Sequence, residues 1–361
     1  MARHMTAWVL ARAGSAAGRG SVVPLLLSLA VLGSLVLALL IGPTMIVPGD
    51  VWDSLATALG SKAAMVDEMT ARVVLDLRLP RALMAVMVGA VLAGGGAITQ
   101  GLFRNPLADP GLIGVSGGAA LAAASYIVFG AALLGQSGAA HYLAMPIISF
   151  CGGLATVAII RRLSIQDGRT DVATMLLAGT AINAVVFAGI GLLTVISDDA
   201  QLRSITFWTL GSLSGGGWSS LAIVMPVGLA TVAAGFLAAR VLDGMMLGEA
   251  EAYCLGFRVE TAKRLLIFFV AAGVGACVSF TGLIGFVGII APHMARVLLG
   301  PMHRGLIVAS ALMGGLLLVL ADTLCRTLIA PAELPIGVIT SLIGAPVFLA
   351  LLLSRRRMGR L

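Results

Sequence analysis

Ten apolar stretches, each close to the roughly 20 residues a helix needs to cross a bilayer, follow one another along this chain between short segments of charge, glycine or proline. They fall near residues 23–42, 82–103, 112–135, 142–160, 172–197, 218–239, 264–281, 283–299, 305–326 and 336–353. So continuous a pattern excludes a soluble fold. Of 361 residues, 59% are hydrophobic and 11% charged, where a soluble domain carries about 25% charge. Glycine occupies 46 positions, against 12 Phe, 4 Trp and 3 Tyr. That balance favours closely packed helices over a barrel girdled by aromatics. The expected fold class is an all-α polytopic membrane protein with about ten transmembrane helices.

The eighth stretch is the weakest, because Gly285, Gly288 and Pro292 interrupt it. Ten crossings put both termini on one side. With that side cytoplasmic, the 23 Lys and Arg residues divide into 17 inside and 6 outside, the bias that sets orientation in membrane proteins. The net charge of +7 reports this orientation and not a nucleic-acid partner. The domain reading is a cytoplasmic tail over 1–22, one transmembrane domain over 23–354 and a basic cytoplasmic tail over 355–361.

Two longer polar connections stand out, 48–78 outside and 243–264 inside. The inner one, DGMMLGEAEAYCLGFRVETAKR, is rich in helix formers with a break at Leu255, Gly256 and Phe257, and predicts two short helices at the cytoplasmic surface. Asp198 to Gly217 is expected to fold back near the outer mouth. An internal echo joins GLIGVSG at 111–117 to GLIGFVG at 282–288. These open the third and eighth stretches, which run in opposite directions, as an inverted repeat would require.

Ion-driven carriers need ionisable groups at membrane depth, and here almost every stretch lacks one, with Asp322 as the exception; Arg326, four residues on, is its expected partner. Gln100, Asn183, Ser279 and Thr281 read as polar groups between helices. Neither lysine, Lys62 or Lys263, completes a phosphate-binding GxxxxGK[ST], so this chain is not expected to hydrolyse ATP. No HExxH or paired carboxylate surrounds the histidines, and no metal-ligand spacing joins Cys151, Cys254, Cys277 and Cys325. No catalytic residue and no metal site is expected.

Five motifs then occur in order: RLPRAL at 78–83, QGLFRNPLADPGLIGVSGGA at 100–119, LLAGTAI at 176–182, FVGIIAPHMAR at 286–296 and PAELPIGVITSLIGAPVF at 331–348. Together they resemble the permease subunits of ABC importers for iron siderophores, vitamin B12 and haem, the FecCD family, and are most similar to its haem-importing branch. The resemblance implies a type II importer. Two permease copies enclose a path, two cytoplasmic ATPases bind ATP and Mg, and a periplasmic binding protein delivers haem or a related iron chelate.

It further implies residue roles. Leu247, Gly248, Glu249, Glu251, Leu255 and Gly256 match the helices that couple to the ATPase. Asn105, Pro106 and Leu107 match one cytoplasmic gate, and Val172 with Ala173 fall at a second. Arg78, Arg81 and Arg326 match arginines that receive glutamates of the binding protein. The bacterial inner membrane is the expected location. A siderophore or cobalamin permease is the alternative within this class, and an ATP-independent channel or secondary carrier the alternative outside it.

Overall fold

The computed structural model describes residues 22–60, 66–134, 139–166 and 168–358. In chain order the elements are α1 (Val22–Leu40), α2 (Pro48–Ala58), α3 (Glu68–Arg72), a π-helical stretch (Val73–Arg78), α4 (Leu79–Leu102), α5 (Val115–Leu134) and α6 (Ala139–Leu163). A small hairpin, β1 (Ile165–Gln166) with β2 (Arg169–Thr170), leads into α7 (Val172–Ile196). Then come α8 (Asp199–Leu210), α9 (Trp218–Leu237), α10 (Ala239–Leu247), α11 (Glu249–Cys254), α12 (Val259–Thr281), α13 (Val287–Leu299), α14 (His303–Thr327) and α15 (Ile336–Met358).

Seven of these segments are long and apolar enough to cross a membrane, and three shorter apolar helices, Val115–Gly130, Val287–Leu299 and Ile336–Ala350, complete the set of ten. All ten stretches expected from hydropathy are therefore helices. Several boundaries move. The third starts at Val115, because Pro110–Ile113 forms a 3-10 turn that ends on Gly114 at φ 84°. The seventh starts at Val259, so the charged run VETAKR is the first turn of a span and not the end of a loop. The segment 48–78, expected outside, is largely helical over its described residues, and α8 occupies most of 198–217. At the C-terminus α15 runs through Arg355–Arg357 to Met358, so the basic segment continues a helix; residues 1–21 and 359–361 of the expected tails lie outside the described residues.

The π-helical stretch has a local cause. Pro80 has no N–H to donate, and its ring would press on the carbonyl four residues back, so the turns before it widen. Segments α4, α12 and α14 form the buried centre, and α1, α6 and α7 are the least buried of the long segments around it. Each GLIGxxG stretch is gripped by a side-chain amide, at the first glycine of one and the last glycine of the other. Asn183 Nδ2 of α7 donates to Gly111 O and Gln100 Nε2 of α4 donates to Gly288 O, each at 3.3 Å. Four residues before each amide, Gly179 and Gly96 let the backbones touch: a Cβ there would collide with Leu112 O or Gly288 O.

Candidate functional site

Three segments meet at the end expected to face the cytoplasm. After α4, Arg104 takes a left-handed φ of 47° and the chain folds into a tight turn. Pro106 occupies its second position, where its fixed φ suits a turn. Ala108 N donates to Asn105 O at 3.0 Å, and Leu107 N donates to Asn105 Oδ1 at 3.0 Å. The side chain of Asn105 thus holds its own loop. Just beyond, burial pushes the Asp109 carboxyl above its ordinary range, while its Oδ1 accepts Gly111 N at 2.7 Å.

The second segment is the β1–β2 hairpin. Its base closes through Asp171 N donating to Ser164 O at 2.9 Å. Asp171 then caps α7, its Oδ2 accepting Thr174 N at 2.7 Å. Hydrogen bonds from Thr174, before any other cause, hold that carboxyl below the usual range. Val172 and Ala173 are the first residues of α7.

The third segment is the α10–α11 pair. Gly248 separates the helices at φ 143°, ψ 154°, a region essentially restricted to glycine, and Gly256 ends α11 at φ 84°. The expected single break is thus two, at Gly248 and at Leu255–Arg258. Leu247 (71%) and Leu255 (60%) are exposed, and Met246 and Tyr253 lie beside them on the surface, while Leu242, Met245 and Ala252 face inward. Apolar side chains presented this way at a polar end suit a protein partner. Glu249 Oε2 lies 2.6 Å from Lys263 Nζ; Glu251 is exposed.

One open cleft of about 810 Å³ unites these segments, bounded among others by Arg104, Asn105, Arg169, Val172, Ala173 and Glu249. The structure therefore brings together residues of both expected gates and one expected coupling residue. Pro106 faces a neighbouring cleft of about 200 Å³ with Arg104, Arg296 and His303. Leu107 is half-buried and contributes its amide to the turn.

At the opposite end, Arg78, Arg81 and Arg326 share a cavity of about 550 Å³ with Asp76, Glu333 and the Ser214–Gly217 loop. Their guanidinium groups are committed within the chain. Arg78, 5% exposed, donates to Leu39 O at 2.6 Å, Leu40 O at 3.1 Å and Thr44 O. Arg81 donates to Asp322 at 2.9 Å and to both carboxylate oxygens of Glu333 at 2.9 and 3.0 Å. Arg326, 4% exposed, pairs with Asp322 at 3.0 Å, as the four-residue spacing predicts. Asp322 also serves Arg81, which the spacing does not reveal.

Sequence reasoning missed Glu333 and Thr170; it placed Glu260 among the charges of the 243–264 loop without its partner Thr170, and it missed the link of Asp243 to His303 N and Nδ1 at 2.9 and 2.7 Å, which ties α10 to α14. The one available signal was Lys263, one of just two lysines. Among the described residues, no group of three His, Cys, Asp or Glu is placed to hold a metal ion.

The model of the FecCD transport family matches residues 29–354. Over 282 residues the chain is 48% identical to the hemin transport system permease protein HmuU of Yersinia pestis, covering 78% of this chain and 83% of that one. It is 38% identical over 320 residues to the vitamin B12 import system permease protein BtuC of Vibrio cholerae, covering 88% and 89%. A solved inward-facing metal-chelate type ABC transporter aligns with a TM-score of 0.79 at 31% identity, over 92% of this chain and 98% of that one. The chain belongs to the FecCD transport family and is a multi-pass membrane permease of the ABC-importer type.

Proposed function

We propose that this permease carries haem, or a closely related iron chelate, from periplasm to cytoplasm across a bacterial inner membrane. Two copies enclose the path, two separate ABC ATPases bind ATP and Mg, and a periplasmic binding protein delivers the cargo. Both termini lie in the cytoplasm, on the positive-inside count. The haem assignment rests on the 48% identity to a hemin permease, against 38% to a vitamin B12 permease.

The observation that carries the coupling part is the 810 Å³ cleft, where Asn105, Val172 and Ala173 meet Glu249 of α11. A partner pressing on the exposed apolar edge of α10–α11 would act directly on the walls of that cleft. The exposed apolar face of α7, with Leu177, Val185, Leu192 and Val195, supplies the contact for the second copy. At the outer end, Arg81 and Glu333 offer the docking charges, because Arg78 and Arg326 are buried; a carboxylate of the binding protein takes the place of Glu333 on Arg81.

Reconstitution tests the reading. Vesicles holding the permease with its ATPase should accumulate haem only when ATP and the binding protein are both supplied. Accumulation of a siderophore or cobalamin but not haem would overturn the cargo; transport without the ATPase would overturn the mechanism.

A further inference from the structure

Thr170 is the last residue of β2, two positions before Val172, and it is held on three atoms by side chains of α12. Glu260 accepts its N at 3.2 Å and its Oγ1 at 2.6 Å. Lys263, one turn along, donates from Nζ to its O at 3.1 Å and to Glu249 Oε2 of α11 at 2.6 Å. Lys263 is 2% exposed. A buried ammonium persists only with partners, and its two named here lie on the ATPase-facing helix and on the strand leading to the gate. A second link runs in parallel, the Arg169 guanidinium lying 5.4 Å from the centre of the Tyr253 ring.

The backbone around α11 is built differently. Gly248 and Gly256, both at positive φ, flank it, and glycine leaves such joints pliant. Whatever α11 drags when it moves is therefore decided by side-chain links and not by the chain path. Glu249 is partly exposed at the rim of the cleft, so a partner on α10–α11 can shift it, whereas Lys263 and Thr170 are enclosed. We infer that Lys263 is a positioning residue that carries movement of α11 to the gate, pulling Thr170 and with it the start of α7. This rests on the proposed docking of an ATPase at α10–α11.

The test uses the complete transporter in vesicles, permease, ATPase and binding protein, with haem as cargo. It reads haem moved per ATP hydrolysed, ATPase retained on the permease, and thiol labelling of Ala173→Cys, with the native cysteines replaced, with and without a non-hydrolysable ATP analogue. Lys263→Met is expected to keep the ATPase, lower haem per ATP at least fivefold and reduce the nucleotide-dependent change in labelling to less than half, the remainder passing through Arg169 and Tyr253. Lys263→Arg, which retains both donations, is expected to restore at least half. Should Lys263→Met fail to assemble, Glu249→Gln at its partly exposed site decides, with an expected loss of at least twofold in the same ratio. Unchanged haem per ATP and labelling in an assembled Lys263→Met, no loss in Glu249→Gln, or equal losses in the Met and Arg variants would overturn the inference. A Leu247→Asp, Leu255→Asp variant that still retains the ATPase would instead overturn the docking reading on which it rests.

Discussion

Gly89 of α4 and Gly314 of α14 stand so close that a Cβ on either would collide with the carbonyl oxygen of the other. Lipid is as apolar as leucine, so helices in a membrane gain little from hydrophobic burial against each other and associate through close packing. Glycine at this crossing permits that approach. Gly314→Val should therefore force the two central helices apart at a cost of at least about 1–3 kcal/mol, the usual range for overpacking. The check is thermal unfolding in detergent, with Gly33→Ala as comparison: Gly33 is exposed on α1, and a Cβ added there would meet nothing within 4 Å. A Gly314→Val protein as stable as Gly33→Ala would show that the crossing is not tight.

Asp322 sits between two guanidinium groups, 2.9 Å from Arg81 and 3.0 Å from Arg326, and is 2% exposed. Removing its charge leaves both arginines in place without it. Breaking a buried pair on one side costs about 3–5 kcal/mol, so Asp322→Asn should lower the melting temperature clearly. Glu333, with a side chain 34% exposed against 3% for Asp322, keeps more of its solvation when unpaired; Glu333→Gln should lower the melting temperature less than Asp322→Asn. Equal shifts in the two variants would contradict this ranking.

The spans were legible because lipid imposes a length and an apolar composition on each helix, independent of what the helix packs against. Boundaries were legible only where that rule acts alone. Val259–Arg264 reads as loop by its charges, yet it is helix, because Glu260 and Lys263 find partners on Thr170 and Glu249 that hydropathy does not register. The third span begins late because Asp109 and Gly114 set a 3-10 turn inside an apolar run. The same limit governs the site. Asp322 and Arg326 are four residues apart on one helix face and were foreseen. Arg81 and Asp322 are 241 apart, and Lys263 and Glu249 sit on different helices, so their pairing exists only once the helices are packed. The proposed gate and coupling roles of Asn105, Val172 and Glu249 rest on motif resemblance, whereas the cleft that joins these residues exists only once the chain is folded.

Docking at the outer cavity should depend on Arg81 more than on its two neighbours. Arg78 and Arg326 hold backbone carbonyls of α1 and the segment after it, so charge reversal there should act through the fold. Electrostatic docking slows as salt screens it. Association of the binding protein with vesicles should be slower for Arg81→Glu than for the parent at low salt, with the difference shrinking at high salt. Arg326→Glu should lower the melting temperature first. Unchanged association for Arg78→Glu, Arg81→Glu together, or a parent rate indifferent to salt, would assign all three arginines to the fold.

The first turn of α7 should loosen in acid, because it is capped by a carboxylate. Asp171 Oδ2 accepts Thr174 N at 2.7 Å, and hydrogen bonds from Thr174, with a smaller contribution from the charge of Lys263, hold its pKa below the ordinary value. A depressed folded-state pKa means that the cap stabilises the turn above the unfolded value of about 3.9, and that this contribution disappears as pH falls through the folded value. Asparagine offers the same acceptor oxygen without a proton to gain. Amide exchange at Ala173 and Thr174, corrected for intrinsic rate, should therefore be slow at pH 6 and faster near pH 3 in the parent. It should be independent of pH in Asp171→Asn and fast at both in Asp171→Ala. Parent-like protection in Asp171→Ala would mean that the three-atom grip on Thr170, and not the carboxylate cap, fixes where α7 begins.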